Sequence, residues 1–229
     1  MSSNSKNEQT PSTLEEVGGA LTRTEQYIEN NKKRLSYIVG IIVVVVLAYI
    51  GYQKLYIAPM EKEAGAAMFN AEFYFEKDSF RLALDGDGQS LGFLDVIDQF
   101  GPSSSGNLAT YYAGICYLQL GEFENAIEYL DSYSGNDLLV SSMATGALGD
   151  AYLEMGDDTK AIDKYMAAAH DNPNTFTTPV FLMKAGYLYE KQGKKDLALK
   201  VYEEIQKQYS KTNEGRKIDK YIARVKAQM

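Results

Sequence analysis

Three segments in the C-terminal half of this 229-residue chain repeat the pattern Gly-x2-Tyr-x3-Gly-x4-Ala: Gly114, Tyr117, Gly121, Ala126; Gly149, Tyr152, Gly156, Ala161; and Gly186, Tyr189, Gly193, Ala198. Their starts lie 35 and 37 residues apart. That period is the length of a two-helix unit, which cannot bury its apolar face alone and must stack on its neighbours. The chain is therefore expected to be all-α, a solenoid with a binding surface rather than an enzyme built around a deep pocket. Within the grid, Gly114, Gly149 and Gly186 are expected to face Ala126, Ala161 and Ala198, small against small, so that paired helices approach closely while the tyrosines fill the adjoining gap. Gly121, Gly156 and Gly193 each follow an apolar stretch and precede charge, as where glycine ends a helix in the left-handed conformation. Glu122, Asp157 and Asp158 then suit the positive end of the following helix.

This grid resembles the tetratricopeptide repeat over roughly residues 105–211. The second copy fits best, with Leu148, Gly149, Tyr152, Gly156, Ala161, Tyr165, Ala168 and Pro173 at the family's small, aromatic and proline positions. The first has Thr110 where Trp is frequent, and Tyr133 and Leu138 where Ala and Pro are usual; the third has Ile205 and Ser210 there. The resemblance implies three repeats over 107–211, a divergent first repeat within 55–106 and a capping helix over 212–229. It also implies a concave groove lined by the first helix of each pair, with Leu108, Tyr111, Ile115, Met143, Asp150, Val180, Met183 and Tyr187 turned towards a partner. Members that grip a peptide carboxylate do so with Lys and Asn at positions held here by Tyr111, Ile115, Gly146, Asp150, Met183 and Tyr187, so no such clamp is expected. A largely apolar groove suits extended or helical segments of partner chains, for which Met and Tyr are adaptable contacts.

Upstream, Leu35 to Tyr52 is an uncharged stretch of 18 residues, about 27 Å of helix and close to the thickness of a bilayer core. It predicts a membrane span over 35–54, with Leu35, Ile38, Ile41, Val45, Ile50 and Tyr52 along it. Lys32, Lys33 and Arg34 precede it, which by the positive-inside rule places residues 1–34 in the cytoplasm and the C-terminal domain across the membrane. A cleaved signal peptide fits poorly, because the apolar run is too long and no Ala-x-Ala site follows it. Residues 1–13 are polar and expected to be disordered, while Leu14, Val17, Leu21, Thr24 and Ile28 recur at helical steps as a marginal tail helix. Pro59 is expected to separate the span from a helix with Ala64, Met68, Ala71, Tyr74 and Phe75 on one face.

Charge divides the remainder. Residues 58–180 hold 5 Lys and Arg against 20 Asp and Glu, whereas 181–229 hold 12 against 6. An acidic body with a basic end can orient against a charged partner, but an acidic domain is a poor nucleic-acid binder. Asp85-Gly86-Asp87-Gly88 does not continue as a calcium loop, since Ser90 and Val96 stand where Gly and Glu are required, and a flexible loop is expected. The single histidine, His170, falls at a helix end, and the single cysteine, Cys116, lies in an apolar stretch and is expected in the core. No triad, zinc site or phosphate loop is present in the sequence, and no cofactor is expected.

The whole layout is also similar to the YfgM-type ancillary subunits of the bacterial Sec translocon, in the stretch Phe93–Leu130 as well as in architecture. That resemblance implies an inner-membrane protein with a periplasmic repeat domain. Its implied partners are Sec channel subunits, a membrane-anchored periplasmic chaperone, and exported or unfolded polypeptides. A scaffold subunit of another envelope complex is the alternative.

Overall fold

The computed structural model describes residues 13–135 and 137–229, and every regular element among them is helical. They divide between Tyr56 and Ile57 into two compact units.

The first unit is dominated by α1 (Thr13–Tyr52), so that the expected tail helix and the expected span are one helix of 40 residues. Extending an existing helix costs far less than nucleating a new one, and the apolar run supplies the nucleus that the tail lacks. The polar stretch 1–12 lies outside the described residues, as do the side chains of Leu14, Val17, Leu21 and Thr24. Ile38, Ile41, Val45, Ile50 and Tyr52 are exposed, Leu35 is half-buried, and no part of the apolar window is covered by protein. A helix bare and apolar around its whole circumference is long enough and greasy enough to cross a membrane, where its internally bonded backbone needs no water. Lys32, Lys33 and Arg34 are exposed one turn before it. A π-helical turn, Gln53–Ile57, follows. Pro59 explains it, because the ring removes one amide donor and crowds the carbonyl of Leu55, and a wider turn accommodates both.

The second unit begins with α2 (Ala58–Glu76), α3 (Phe80–Asp85) and α4 (Phe93–Phe100). Three helix pairs follow: α5 (Ser104–Gln119) with α6 (Phe123–Ser132), α7 (Val140–Glu154) with α8 (Asp158–His170), and α9 (Thr178–Lys191) with α10 (Lys195–Gln208). A 3-10 turn (Gly215–Lys217) leads into α11 (Ile218–Gln228). Successive helices pack on one another, as in a solenoid. On α2 the predicted face is buried at Ala64, Met68 and Ala71, and Phe75 meets Phe80, Phe93 and Tyr112 edge-on at 5.7, 6.4 and 5.1 Å. Glu61 reaches the start of α5, where it accepts bonds from the Ser105 amide (3.1 Å) and hydroxyl (2.6 Å). Burial pushes its carboxyl up, but these bonds outweigh that and hold it below its ordinary value.

The grid works differently from the small-against-small expectation. The first glycine of each copy faces the large residue one turn beyond the grid alanine: Gly114 faces Leu130, Gly149 faces Tyr165 and Gly186 faces Tyr202. A methyl on Gly149 would stand 2.6 Å from the Tyr165 ring, and one on Gly114 2.5 Å from Leu130 Cγ. Each glycine is thus a notch that receives a bulky side chain, while Ala126, Ala161 and Ala198 are fully buried. Filling the notch with a ring or isobutyl group buries more apolar area than two small residues could, about 1.5–3 kcal/mol per side chain.

The second glycines have φ of 78° (Gly121), 79° (Gly156) and 72° (Gly193), with open space at each Cβ position. In each copy the amide after the glycine donates to the grid tyrosine's carbonyl, from Glu122 to Tyr117 (2.9 Å), Asp157 to Tyr152 (2.9 Å) and Lys194 to Tyr189 (2.8 Å). The glycine amides donate to Leu118, Leu153 and Glu190. This is the Schellman closure, so the Tyr-x3-Gly spacing sets the residue whose carbonyl takes the outer bond of the closure and the residue that makes the reversal. The Asp85–Gly88 loop is ordered by Asp87, whose carboxylate accepts from the Gln89 and Ser90 amides and from the Tyr74 hydroxyl (2.9, 2.7 and 2.7 Å). Its acidity has a structural use in closing that turn.

Candidate partner-binding groove

A concave surface in the second unit is built by α7, α9, the turn after α10 and α11. A cleft of about 720 Å³ is lined by Met143, Thr175, Phe176, Thr177, Val180, Phe181, Lys211, Thr212, Asn213, Glu214 and Arg216. A second hollow of about 290 Å³ shares Val180, Asn213 and Glu214 with it and adds Met183, Lys184, Lys217 and Tyr221. On α9, Val180, Met183 and Tyr187 recur at helical steps along one face, and Tyr187 is exposed.

Local chemistry holds each wall. Ahead of α9, the Asn174 side chain accepts from the Phe176 and Thr177 amides (2.9 and 2.8 Å) and donates to Thr177 Oγ1 (2.7 Å). Thr178 Oγ1 meanwhile donates to the Ala169 carbonyl at 3.0 Å. This linked turn leaves Phe176 70% exposed at the mouth of the cleft, an orientation that no burial accounts for. After α10, Thr212 closes a tight turn. Its amide and hydroxyl both donate to the Tyr209 carbonyl (3.0 and 2.8 Å), and its oxygen accepts the Gly215 amide at 3.1 Å. A side chain at Gly215 would collide with that same carbonyl. The turn thereby carries Lys211, Arg216 and Lys217 to the edge of the groove.

The groove's cations fall into two kinds. Lys184 is committed: its ammonium donates to Asp150 at 2.5 Å and lies 5.3 and 5.9 Å from the Tyr165 and Phe181 ring centres. Asp150 also accepts the Tyr165 hydroxyl at 2.5 Å. Burial, reinforced by this carboxylate, pushes the Tyr165 phenol well above its ordinary value. Lys211, Arg216 and Lys217 are exposed and, among the described residues, pair with no carboxylate; the Arg216 guanidinium bonds only to Asn213 Oδ1, at 2.9 Å.

The eight residues expected to face a partner separate into two groups. Met143, Val180 and Met183 line the groove, and Tyr187 stands exposed one turn further along α9. Asp150 is half-buried and occupied by Tyr165 and Lys184 rather than open to a ligand. On α5, Tyr111 is only 9% exposed, its ring against Tyr112 and Tyr133 at 5.5 and 6.0 Å, and burial pushes its hydroxyl up to about 12. Leu108 and Ile115 pack half-buried on the first core. Tyr133, which stands where the repeat usually has alanine, packs against Tyr111 and covers that position of the expected surface. Sequence reasoning missed Phe176 and Phe181 and, although it found the basic end of the chain, did not bring Lys211, Arg216 and Lys217 to the groove; Phe176, an aromatic in an otherwise polar Thr-Phe-Thr-Thr turn before Pro179, was a local signal available.

Covalent chemistry has little to work with here. Cys116 is fully buried and its thiol is pushed up to about 12 by burial, so the nucleophilic thiolate is scarce. His170 sits at the end of α8 with Nε2 at 3.1 Å from Glu204. Among the described residues no group of three His, Cys, Asp or Glu is placed to hold a metal. What the arrangement can do is bind apolar side chains next to free positive charge.

Models of the tetratricopeptide repeat match residues 93–138, 147–175 and 181–212. No curated protein matches the chain. Among solved structures, the chain is similar to a Podosopora anserina protein described as a kinesin light chain with nearly identical TPR-like repeats. The TM-score is 0.55 and the identity 13%, over 72% of this chain and 85% of that one. A likeness at that identity shows the fold. The repeat models, the notched helix pairs and this shared fold together make the chain an all-α protein with a TPR-like solenoid, of the type that serves protein–protein interaction.

Proposed function

We propose that the chain is a single-span inner-membrane protein, N-terminus cytoplasmic, whose repeat domain is periplasmic. There it binds exported or unfolded polypeptides as an ancillary subunit of the Sec translocon, beside a membrane-anchored chaperone. The observation that carries a binding role is the apolar stripe of Met143, Val180, Met183 and Tyr187, partly uncovered along a concave surface. Contiguous apolar surface of this kind on a water-exposed domain marks an interaction site. The bare apolar circumference of α1, with Lys32, Lys33 and Arg34 on its N-terminal side, supports the anchor and its orientation. The translocon assignment rests on the similarity of the layout to the YfgM-type subunits.

Site-specific photocrosslinking in intact cells tests the reading, with probes at Ile41 and Val45 in the span and at Met183 and Tyr187 in the groove. The expected result is span adducts with a protein-conducting channel and groove adducts with many unrelated exported chains. One fixed envelope partner at both places would replace the translocon role with that of a dedicated scaffold.

A further inference from the structure

The groove is apolar along its floor but basic along one edge only, and the asymmetry specifies what can occupy it. Lys211, Arg216 and Lys217 stand on the turn after α10 without carboxylate partners among the described residues, whereas Lys184 at the opposite wall is already neutralised by Asp150. Glu214 is the one acidic side chain lining either hollow, and it is half-buried. Residues 58–180 carry 20 acidic side chains against 5 basic ones. An acidic ligand is therefore repelled by most of the domain and attracted to this edge, while a basic ligand meets the reverse field.

Resting on the binding role proposed above, we propose that the groove selects polypeptide segments in which apolar and acidic side chains are interleaved. The apolar groups enter between Met143, Phe176 and Val180, and the carboxylates lie against Lys211, Arg216 and Lys217. This is a side-chain recognition distributed over an edge, not the gripping of a chain terminus, because the positions that would supply a terminal-carboxylate clamp hold Met183, Tyr187 and the occupied Asp150. The edge also fixes direction: a segment with acids on one side can lie in the groove in one orientation and lose the charge contacts in the other. Surface charge pairs are individually weak, so three of them give a preference of about fivefold to tenfold over an uncharged segment, removable by salt.

The test uses the full-length protein in nanodiscs and fluorescence anisotropy with two fluorescein-labelled peptides, one alternating Leu with Glu and its counterpart alternating Leu with Gln. The Glu peptide is expected to bind about fivefold to tenfold more tightly at low salt. That advantage should vanish in the K211Q/R216Q/K217Q variant, which should bind the Glu and Gln peptides equally. V180D should weaken both peptides. Equal affinity for the two peptides, or an acidic preference that survives in the triple variant, would overturn the charge selection while leaving the groove as a binding site. If neither peptide binds, the selection and the binding role fall together. If the basic edge instead mediates a salt-sensitive self-association with the acidic body of a second copy, light scattering will show it and the polypeptide ligand is wrong.

Discussion

The first helix pair and the two that follow share one backbone notch and fill it differently. In α5/α6 the notch at Gly114 takes Leu130, which has no polar atom to satisfy, and the neighbourhood is held by rings: Tyr117 on Tyr129 at 5.2 Å, Phe93 on Tyr112 at 5.1 Å. In α7/α8 and α9/α10 it takes Tyr165 and Tyr202, whose hydroxyls need acceptors. Tyr165 finds Asp150, which draws in Lys184 from α9; Tyr202 finds Glu190 at 2.7 Å, which draws in Arg224 from α11 at 2.6 Å. A hydroxyl added to the notch residue thus recruits a carboxylate, and the carboxylate recruits a cation from the next element. The lesson is that identical spacing in sequence can be joined to its neighbour by apolar packing in one half and by a polar relay in the other. The relay's placement, not only the backbone, decides where the open groove lies, because it consumes Lys184 and Asp150 at one wall.

The largest expected effect comes from blocking the notch itself. Gly149→Val should destabilise the fold by about 3 kcal/mol or more, since the Tyr165 ring is pinned at its far end by Asp150 and cannot retreat. Chemical denaturation would read the loss; a shift under 1 kcal/mol would mean that the ring is not fixed by the relay. Next, Leu130→Ala should cost about 2–4 kcal/mol through a cavity in the first core, with no charged group involved and hence no salt dependence. Tyr165→Phe keeps the packing and removes only the hydroxyl, so about 1–2 kcal/mol is expected, and combining it with Lys184→Met should be less than additive because both report on Asp150. Additivity would show that the three groups do not act together.

The helix-ending glycines should respond more mildly. Gly156→Ala forces a left-handed alanine, with open space around it, and should cost about 1–2 kcal/mol. The smallest effect is pH-dependent. Burial pushes the Asp137 carboxyl up, but bonds from the Tyr133 and Ser141 hydroxyls and from the Val140 and Leu139 amides at the start of α7 outweigh it and leave the group below its ordinary value. A depressed carboxylate contributes stability above its unfolded value, near about 4, that is lost as pH falls through its lower folded value. Asp137→Asn should therefore flatten the acid limb of the stability profile, and thermal melts between pH 5 and pH 2 would show whether it does.

Much of this was legible before any coordinate. The period, the left-handed glycines and the buried face of α2 follow from spacing and side-chain size, which act locally. The partner of Gly149 was not legible, because nothing within one helix says whether a notch meets Ala161 or Tyr165; that depends on the axial register of two helices. The groove was half legible for a similar reason. Met143, Val180 and Met183 came from the resemblance to the tetratricopeptide repeat, whereas the packing of Tyr111 involves Tyr133, just past the end of α6, and the basic edge depends on a turn folded by Thr212 and Gly215.

The most direct test of the interaction role is photocrosslinking in growing cells from Val180 and Met183 in the groove, compared with Glu124 and Glu128 on the exposed face of α6. The account predicts polypeptide adducts from the groove positions that are absent from the α6 positions, with those from Met183 lost in V180D. Adducts of equal yield and identity from both faces would contradict it.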